Sequence, residues 1–217
     1  MPWKNIVDAA LEFLFPTHCV SCEEAGALFC EKCRTTLRFE ETVLPDTISF
    51  YRYRDRPVAR LVWALKYEGL SGTDAAIASL MDERLIEELA ERSMMEHFIE
   101  PVLTIVPASK RRLRRYRHNH LEALGRELAR AAALEYDPLI LEIARETGKP
   151  QMSLSREERL VNLEGAFRAR ADAREHIAGR NIIVLDDVVT TGATLSEARR
   201  ALMEAGAKRV VGLTFAH

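Results

Sequence analysis

Thirteen consecutive residues carry the strongest chemical signal in this 217-residue chain: Ile182-Ile183-Val184-Leu185-Asp186-Asp187-Val188-Val189-Thr190-Thr191-Gly192-Ala193-Thr194. The apolar start reads as a buried strand, and the hydroxyl- and glycine-bearing turn after it opens a helix. Such a turn is an anion site. Successive backbone N–H groups at a helix N-terminus converge on a phosphate, the dipole favours negative charge, and Gly192 lets the backbone approach closely. Thr190, Thr191 and Thr194 add hydroxyl donors. Two adjacent carboxylates do not bind phosphate, so Asp186 and Asp187 must serve another part of the ligand, either sugar hydroxyls or a magnesium ion. The spacing does not fit GxxxxGK[ST], which excludes a nucleoside-triphosphate P-loop. A capping box from Thr194 to Glu197 is the structural alternative, and it leaves the acidic pair and the Thr-Thr-Gly turn unexplained.

The second cluster is of metal-binding type. The spacing Cys19-x2-Cys22-x7-Cys30-x2-Cys33 gathers every cysteine of the chain into fifteen residues. Zinc needs four thiolates converging tetrahedrally at about 2.3 Å, and each CxxC turn supplies two of them. Paired disulfides or a redox CxxC are the rivals. The first is opposed by the lack of a secretion signal and of cysteine elsewhere, the second by two such motifs lying so close together. With four cysteines closing the shell, the metal is structural and His18 is a neighbour rather than a ligand.

Around these clusters, the hydrophobic pattern predicts the elements that must position them. Residues 48–53 alternate as an edge strand or hairpin arm. Val58, Leu61, Val62 and Leu65 are spaced for a helix ended by Gly69, and Ile77, Met81, Leu85 and Leu89 form the stripe of a longer one with Asp74 as a candidate cap. Apolar runs at 102–106, 139–144, 182–185 and 210–215 alternate with helical patterns at 121–134 and 199–205, which predicts an α/β fold with a parallel sheet covered on both faces. Ligands of such sheets bind beyond the carboxyl ends of the strands. The run ending at Val106 therefore directs attention to Pro107, Ala108, Ser109 and Lys110, which open a segment of six cations in eight residues, 110–117. That segment is either a solvated turn lending cations to a bound anion or a single-stranded nucleic-acid contact with Tyr116 as a stacking face. Residues 146–163 are long and polar enough for a lid, with a disordered surface loop as the alternative.

Composition sets the outer limits. With 47% hydrophobic and 29% charged residues, neither global disorder nor a fibrous repeat is tenable, and 31 basic against 33 acidic residues, net −2, exclude a bulk polycation. The pattern predicts a module at 1–45 and a larger domain at 46–217, with the boundary near Pro45. The first sixteen residues read as an amphipathic helix that packs on the body or touches a membrane surface, interrupted by Asp8 and Glu12. No run of eighteen apolar residues occurs, so no membrane span is expected and the expected location is cytoplasmic.

The thirteen-residue motif matches the phosphoribosyl-pyrophosphate (PRPP) signature of type I phosphoribosyltransferases. Together with the four-cysteine module it resembles the ComF family, associated with natural competence and DNA uptake. The likeness extends to Trp63-Ala64-Leu65-Lys66-Tyr67-Glu68-Gly69, to Arg145, Gln151, Leu154, Arg159 and Asn162 with Gly165-Ala166-Phe167, and to Gly206-Ala207 and 210–216. Where the family usually has Arg-Gly-Phe-Asn-Gln, this chain has Tyr116-Arg117-His118-Asn119-His120. The resemblance implies a type I phosphoribosyltransferase-like parallel sheet flanked by helices, with a small N-terminal zinc ribbon. It implies that Asp186 and Asp187 hold the ribose hydroxyls, that Val188, Val189, Thr190, Thr191, Gly192, Ala193 and Thr194 wrap the 5′-phosphate, and that Ala108, Ser109 and Lys110 meet the pyrophosphate with Lys66 as a second cation. Mg-PRPP is then the ligand, and phosphoribose passes to an acceptor that the sequence does not name. The alternative is a non-catalytic partner of single-stranded DNA or of DNA-uptake proteins that senses a ligand through the fold. No general base stands out, and His118 and His120 read as structural or surface groups.

Overall fold

A computed structural model of the chain describes residues 16–40, 44–116, 119–145 and 163–217. Strands β1 (Thr47–Tyr51), β2 (Val102–Ile105), β3 (Glu135–Tyr136), β6 (Asn181–Val188) and β7 (Arg209–Ala216) form one sheet in the order β1-β7-β6-β2-β3, parallel throughout. A separate antiparallel ribbon joins β4 (Leu141–Ile143) to β5 (Phe167–Ala169). The apolar run at 139–144 thus leaves the parallel series, because its partner is the short strand at 167–169.

Parallel pairing needs crossover connections, and helices supply them on both faces. Helices α2 (Arg56–Trp63), α3 (Thr73–Glu96) and α5 (His120–Ala131) cover one face, where Leu61, Ile77, Met81 and Leu124 join a core with Leu103, Ile183, Leu185, Val211 and Leu213. Helix α7 (Ala193–Glu204) and the ribbon cover the other, where Leu195, Ala198 and Leu202 meet Ile182, Val184 and Val210. From Ile182 to Leu185 alternation along β6 therefore sends odd-numbered side chains toward the α2–α5 layer and even-numbered ones toward α7, while Val188 packs with the former. Short helices α1 (Glu31–Arg34), α4 (Lys110–Tyr116) and α6 (Arg174–Ile177) are the other α-helices among the described residues.

Several boundaries differ from the sequence pattern for identifiable reasons. Residues 47–51 are an edge strand paired in parallel with β7, not a hairpin arm. Helix α2 runs into a π-helical turn, Ala64–Glu68, which Gly69 stops in the left-handed region at φ 60°. Helix α3 begins after Gly72 at φ 87°, so Asp74 lies in its first turn rather than at its cap. Strand β6 continues past its apolar run to Val188 and so contains both aspartates. The Thr194–Glu197 capping box is not formed: Gly192 is the N-cap, while buried Glu197 pairs with Arg200 and accepts the Phe167 N–H at 3.4 Å. The amphipathic helix of residues 1–15 and most of the lid segment, 146–162, lie outside the described residues.

The cysteine segment is seated on the helical layer. Arg60 Nε of α2 donates to the Val20 carbonyl at 2.9 Å, Arg34 Nη2 donates to the Ser79 carbonyl of α3 at 3.0 Å, and Phe39 bridges to Tyr51 of β1. Among the described residues no helix is long and apolar enough to cross a membrane.

Candidate active site

A cleft of about 680 Å³ opens at the carboxyl ends of the strands. It gathers Asp186, Asp187, Lys66, Ala108, Ser109 and all of Val188, Val189, Thr190, Thr191, Gly192, Ala193 and Thr194. Of the sequence-derived anion residues only Lys110 is elsewhere, in a second depression shared with Arg111, Arg114 and Arg115.

One wall is the turn from β6 into α7. Val189 N–H donates to the Ala216 carbonyl at 2.9 Å, and Gly192 adopts φ 77°, a conformation that other residues reach only with strain. The Ala193 N–H points at Thr191 Oγ1 at 3.3 Å, and the following first-turn amides have no partner inside the helix. Beneath, Gly212 of β7 admits Leu195: a Cβ there would stand 2.7 Å from Leu195 Cδ1. The opposite wall follows β2. Asn119 holds this turn, its Nδ2 donating to the Val106 carbonyl at 3.0 Å while its Oδ1 accepts the Leu121 N–H at 3.1 Å as the cap of α5. Ser109 Oγ accepts the Arg112 N–H at 3.2 Å and so starts α4.

Between the walls the acidic residues are not equivalent. Asp187 faces the α2–α5 layer. Lys66 Nζ lies 2.8 Å from its Oδ1 and His120 Nε2 lies 2.6 Å from its Oδ2. Burial alone would raise the Asp187 pKa, but the His120 hydrogen bond and the Lys66 charge outweigh it and hold the carboxyl well below its usual range. Asp186 is half-buried, and its Oδ1 accepts the Asp187 N–H at 2.9 Å. Burial and the charge of Asp187 push its pKa up to about 7. Burial pulls Lys66 down, and Asp187 more than restores it. For His120, burial dominates and lowers the pKa despite Asp187.

Three further groups line this cleft. His120, taken as structural, is buried against the acidic pair. Arg112, one of six clustered cations, turns inward, with Nη2 buried and unpartnered among the described residues. Tyr53, Trp63 and Tyr67 stand at the mouth with large exposed faces, and the rings of Trp63 and Tyr67 are 4.5 Å apart. The aromatics lie in a stretch, 48–67, whose composition already points to a ligand pocket, whereas His120 and Arg112 are brought in by tertiary structure. Arg117, His118 and the Tyr116 side chain lie outside the described residues.

The cysteines form the other centre. Sγ atoms of Cys19, Cys22, Cys30 and Cys33 all lie within 4.8 Å of one another, with Cys19 to Cys33 at 3.8 Å and Cys22 to Cys30 at 3.4 Å. Tetrahedral zinc with bonds of about 2.3 Å separates its sulfurs by about 3.8 Å, so this donor set fits the ion. No disulfide joins them, and His18 is outside the group, bridging Ala25 through its backbone. Among the described residues no other group of three or more His, Cys, Asp or Glu could hold a metal.

Residues 122–216 match the phosphoribosyl transferase domain. The chain is 30% identical over 154 residues to the DNA utilization protein YhgH of Escherichia coli K12, covering 71% of this chain and 64% of that protein. It is 31% identical over 177 residues to the competence protein ComFC of Bacillus subtilis 168, covering 82% and 65%. The chain thus spans just under two thirds of these relatives. Among solved structures it is similar to the allosteric regulatory enzyme of purine biosynthesis, with 22% identity, a TM-score of 0.39, and coverage of 70% of this chain and 30% of that one.

Proposed function

This chain belongs to the ComF family of phosphoribosyltransferase-fold proteins, and from that premise we propose that its cleft binds PRPP with magnesium in the cytoplasm, in the service of DNA uptake. One observation carries the reading: a phosphate-sized turn at the start of α7, a carboxylate pair and inward-facing cations share one cleft. The first-turn amides and threonine hydroxyls take the 5′-phosphate. Of the carboxylate pair, Asp186 accepts from the ribose hydroxyls with Asp187 held beside it, and Arg112 with the Ala108–Ser109 turn faces the diphosphate. Among the described residues no three metal-binding side chains converge in the cleft, so magnesium would enter with the diphosphate and would supply neutralisation of charge on the leaving group.

In the reaction, the C1′–O bond to pyrophosphate breaks as C1′ bonds to an acceptor, through a state with oxocarbenium character. The chain orients the ribose, screens the departing charge and keeps water out. Zinc, held by the four cysteines, keeps the N-terminal segment folded. Isothermal titration tests the binding: PRPP with magnesium gives heat with the wild type and at least about tenfold weaker binding in Asp186→Ala with Asp187→Ala. Absence of heat, or equal affinity in the variant, overturns the reading.

A second reading is favoured by the depression lined by Lys110, Arg111, Arg114 and Arg115, a basic face suited to single-stranded DNA. If Arg114→Ala with Arg115→Ala lowers DNA affinity and its salt dependence while PRPP affinity holds, the chain is a binding module that senses PRPP.

A further inference from the structure

Asp186 and Asp187 are consecutive in β6 and line one cleft, but their side chains meet different partners. Their surroundings widen that difference. Both oxygens of Asp187 have donors from its own protein, Lys66 at 2.8 Å and His120 at 2.6 Å, and the residue is 5% exposed. Asp186 is half-buried in the cleft and, among the described residues, accepts only one backbone N–H. We propose that His120 is a positioning residue which, with Lys66, clamps Asp187 as a fixed ionised organiser and leaves Asp186 as the carboxylate that meets the ligand. The assignment of that ligand rests on the PRPP reading of the cleft; the clamp does not.

The state of the imidazole follows from the contacts. At 2.6 Å from a carboxylate oxygen, Nε2 must carry a proton, since two lone pairs repel. His120 is 7% exposed, and its Nδ1 is buried without a partner among the described residues. A second proton there would be a buried donor with nothing to accept it, which is more unfavourable than a bare lone pair. The charged groups around the ring are Asp187 and Asp186 on β6, Lys66 on the turn after α2, and Arg112 on α4; the two cations oppose a third positive charge. His120 is therefore a neutral Nε2–H donor. A glutamine amide reaches to a similar distance with an N–H of its own.

Two measurements test the clamp. In PRPP titrations His120→Gln, which keeps a donor, should bind within about threefold of the wild type, while His120→Leu, of similar bulk but without a donor, should bind at least about tenfold more weakly with its thermal transition retained. Equal affinity in the leucine variant, or loss as large in the glutamine variant, overturns the proposal. The second needs no ligand: ¹⁵N NMR of the wild-type imidazoles, with His120 assigned by its disappearance in folded His120→Gln or by its through-bond connection to the assigned backbone, should show the neutral Nε2–H form at pH 7. An imidazolium or the Nδ1–H form there overturns the clamp. If the wild type gives no heat with PRPP, the functional reading fails and the NMR result still decides the clamp.

Discussion

Asp187 is an anion placed where water hardly reaches it, and its neighbours depend on that charge. Lys66 has a side chain only 20% exposed, and removing one partner of such a pair costs about 3–5 kcal/mol. Asp187→Asn is therefore expected to lower the unfolding free energy by that amount, read as a lower urea midpoint with the slope of the transition unchanged. Asp186→Asn should behave in the opposite manner. In the folded chain Asp186 keeps its proton up to about pH 7, whereas an unfolded aspartate loses it near pH 4. The folded state thus binds more protons between those values, so this group's contribution to stability is complete below about pH 4 and is lost as pH rises through about 7. Urea titrations at pH 5 and pH 8 should show Asp186→Asn gaining on the wild type at the higher pH. A pH-independent difference between them would contradict the assignment.

At the scale of elements, the anion turn depends on how closely α7 lies on β7. Gly212 sits where a methyl group would meet Leu195 at 2.7 Å, and Leu195 is in the first turn of the helix. Overpacking of this kind costs about 1–3 kcal/mol. Gly212→Ala should lose stability in that range and, because the helix start moves with Leu195, weaken PRPP binding as well; unchanged affinity would show that the turn is positioned from elsewhere. The same contacts explain what the sequence discloses. The turn, the acidic pair and the strand beneath them are contiguous, so Asp186 to Thr194 are legible as one motif, and the parallel sheet follows from buried strands that alternate with helical patterns. His120 is 67 residues from Asp187, and nothing local distinguishes it from a surface histidine. Arg112 is likewise one arginine among five until α4 rotates it inward. Helix starts at Gly72 and Gly192 escaped the usual cap residues because left-handed glycines make those entries.

Across the whole molecule, the cysteine segment and the cleft share a beam. Arg60 ties α2 to Val20, next to Cys19, and the same helix continues into the turn that bears Lys66. Cys33→Ser, or removal of metal by a chelator, is expected to lower the melting temperature by about 4–8 °C for a loss of ~2 kcal/mol. It should also weaken PRPP binding at a temperature where the sheet remains folded; full affinity in a metal-free chain would uncouple the two centres. The near-zero net charge has a similar internal structure, because basic α4 and the acidic face of α3 cancel in the sum while only the former adjoins the cleft.

The strand order has a consequence in time. β1, at residues 47–51, has β7, at residues 209–216, as its neighbour in the sheet. On the ribosome, α2 and Lys66 therefore emerge long before the strand that anchors their side of the sheet, and the acidic pair waits for the same strand on its other flank. The cleft cannot close before β7 has been made. Until residues 209–216 have left the exit tunnel, β1 and β6 each present an unpaired apolar edge, and the nascent chain in that interval is where chaperones or aggregation would act.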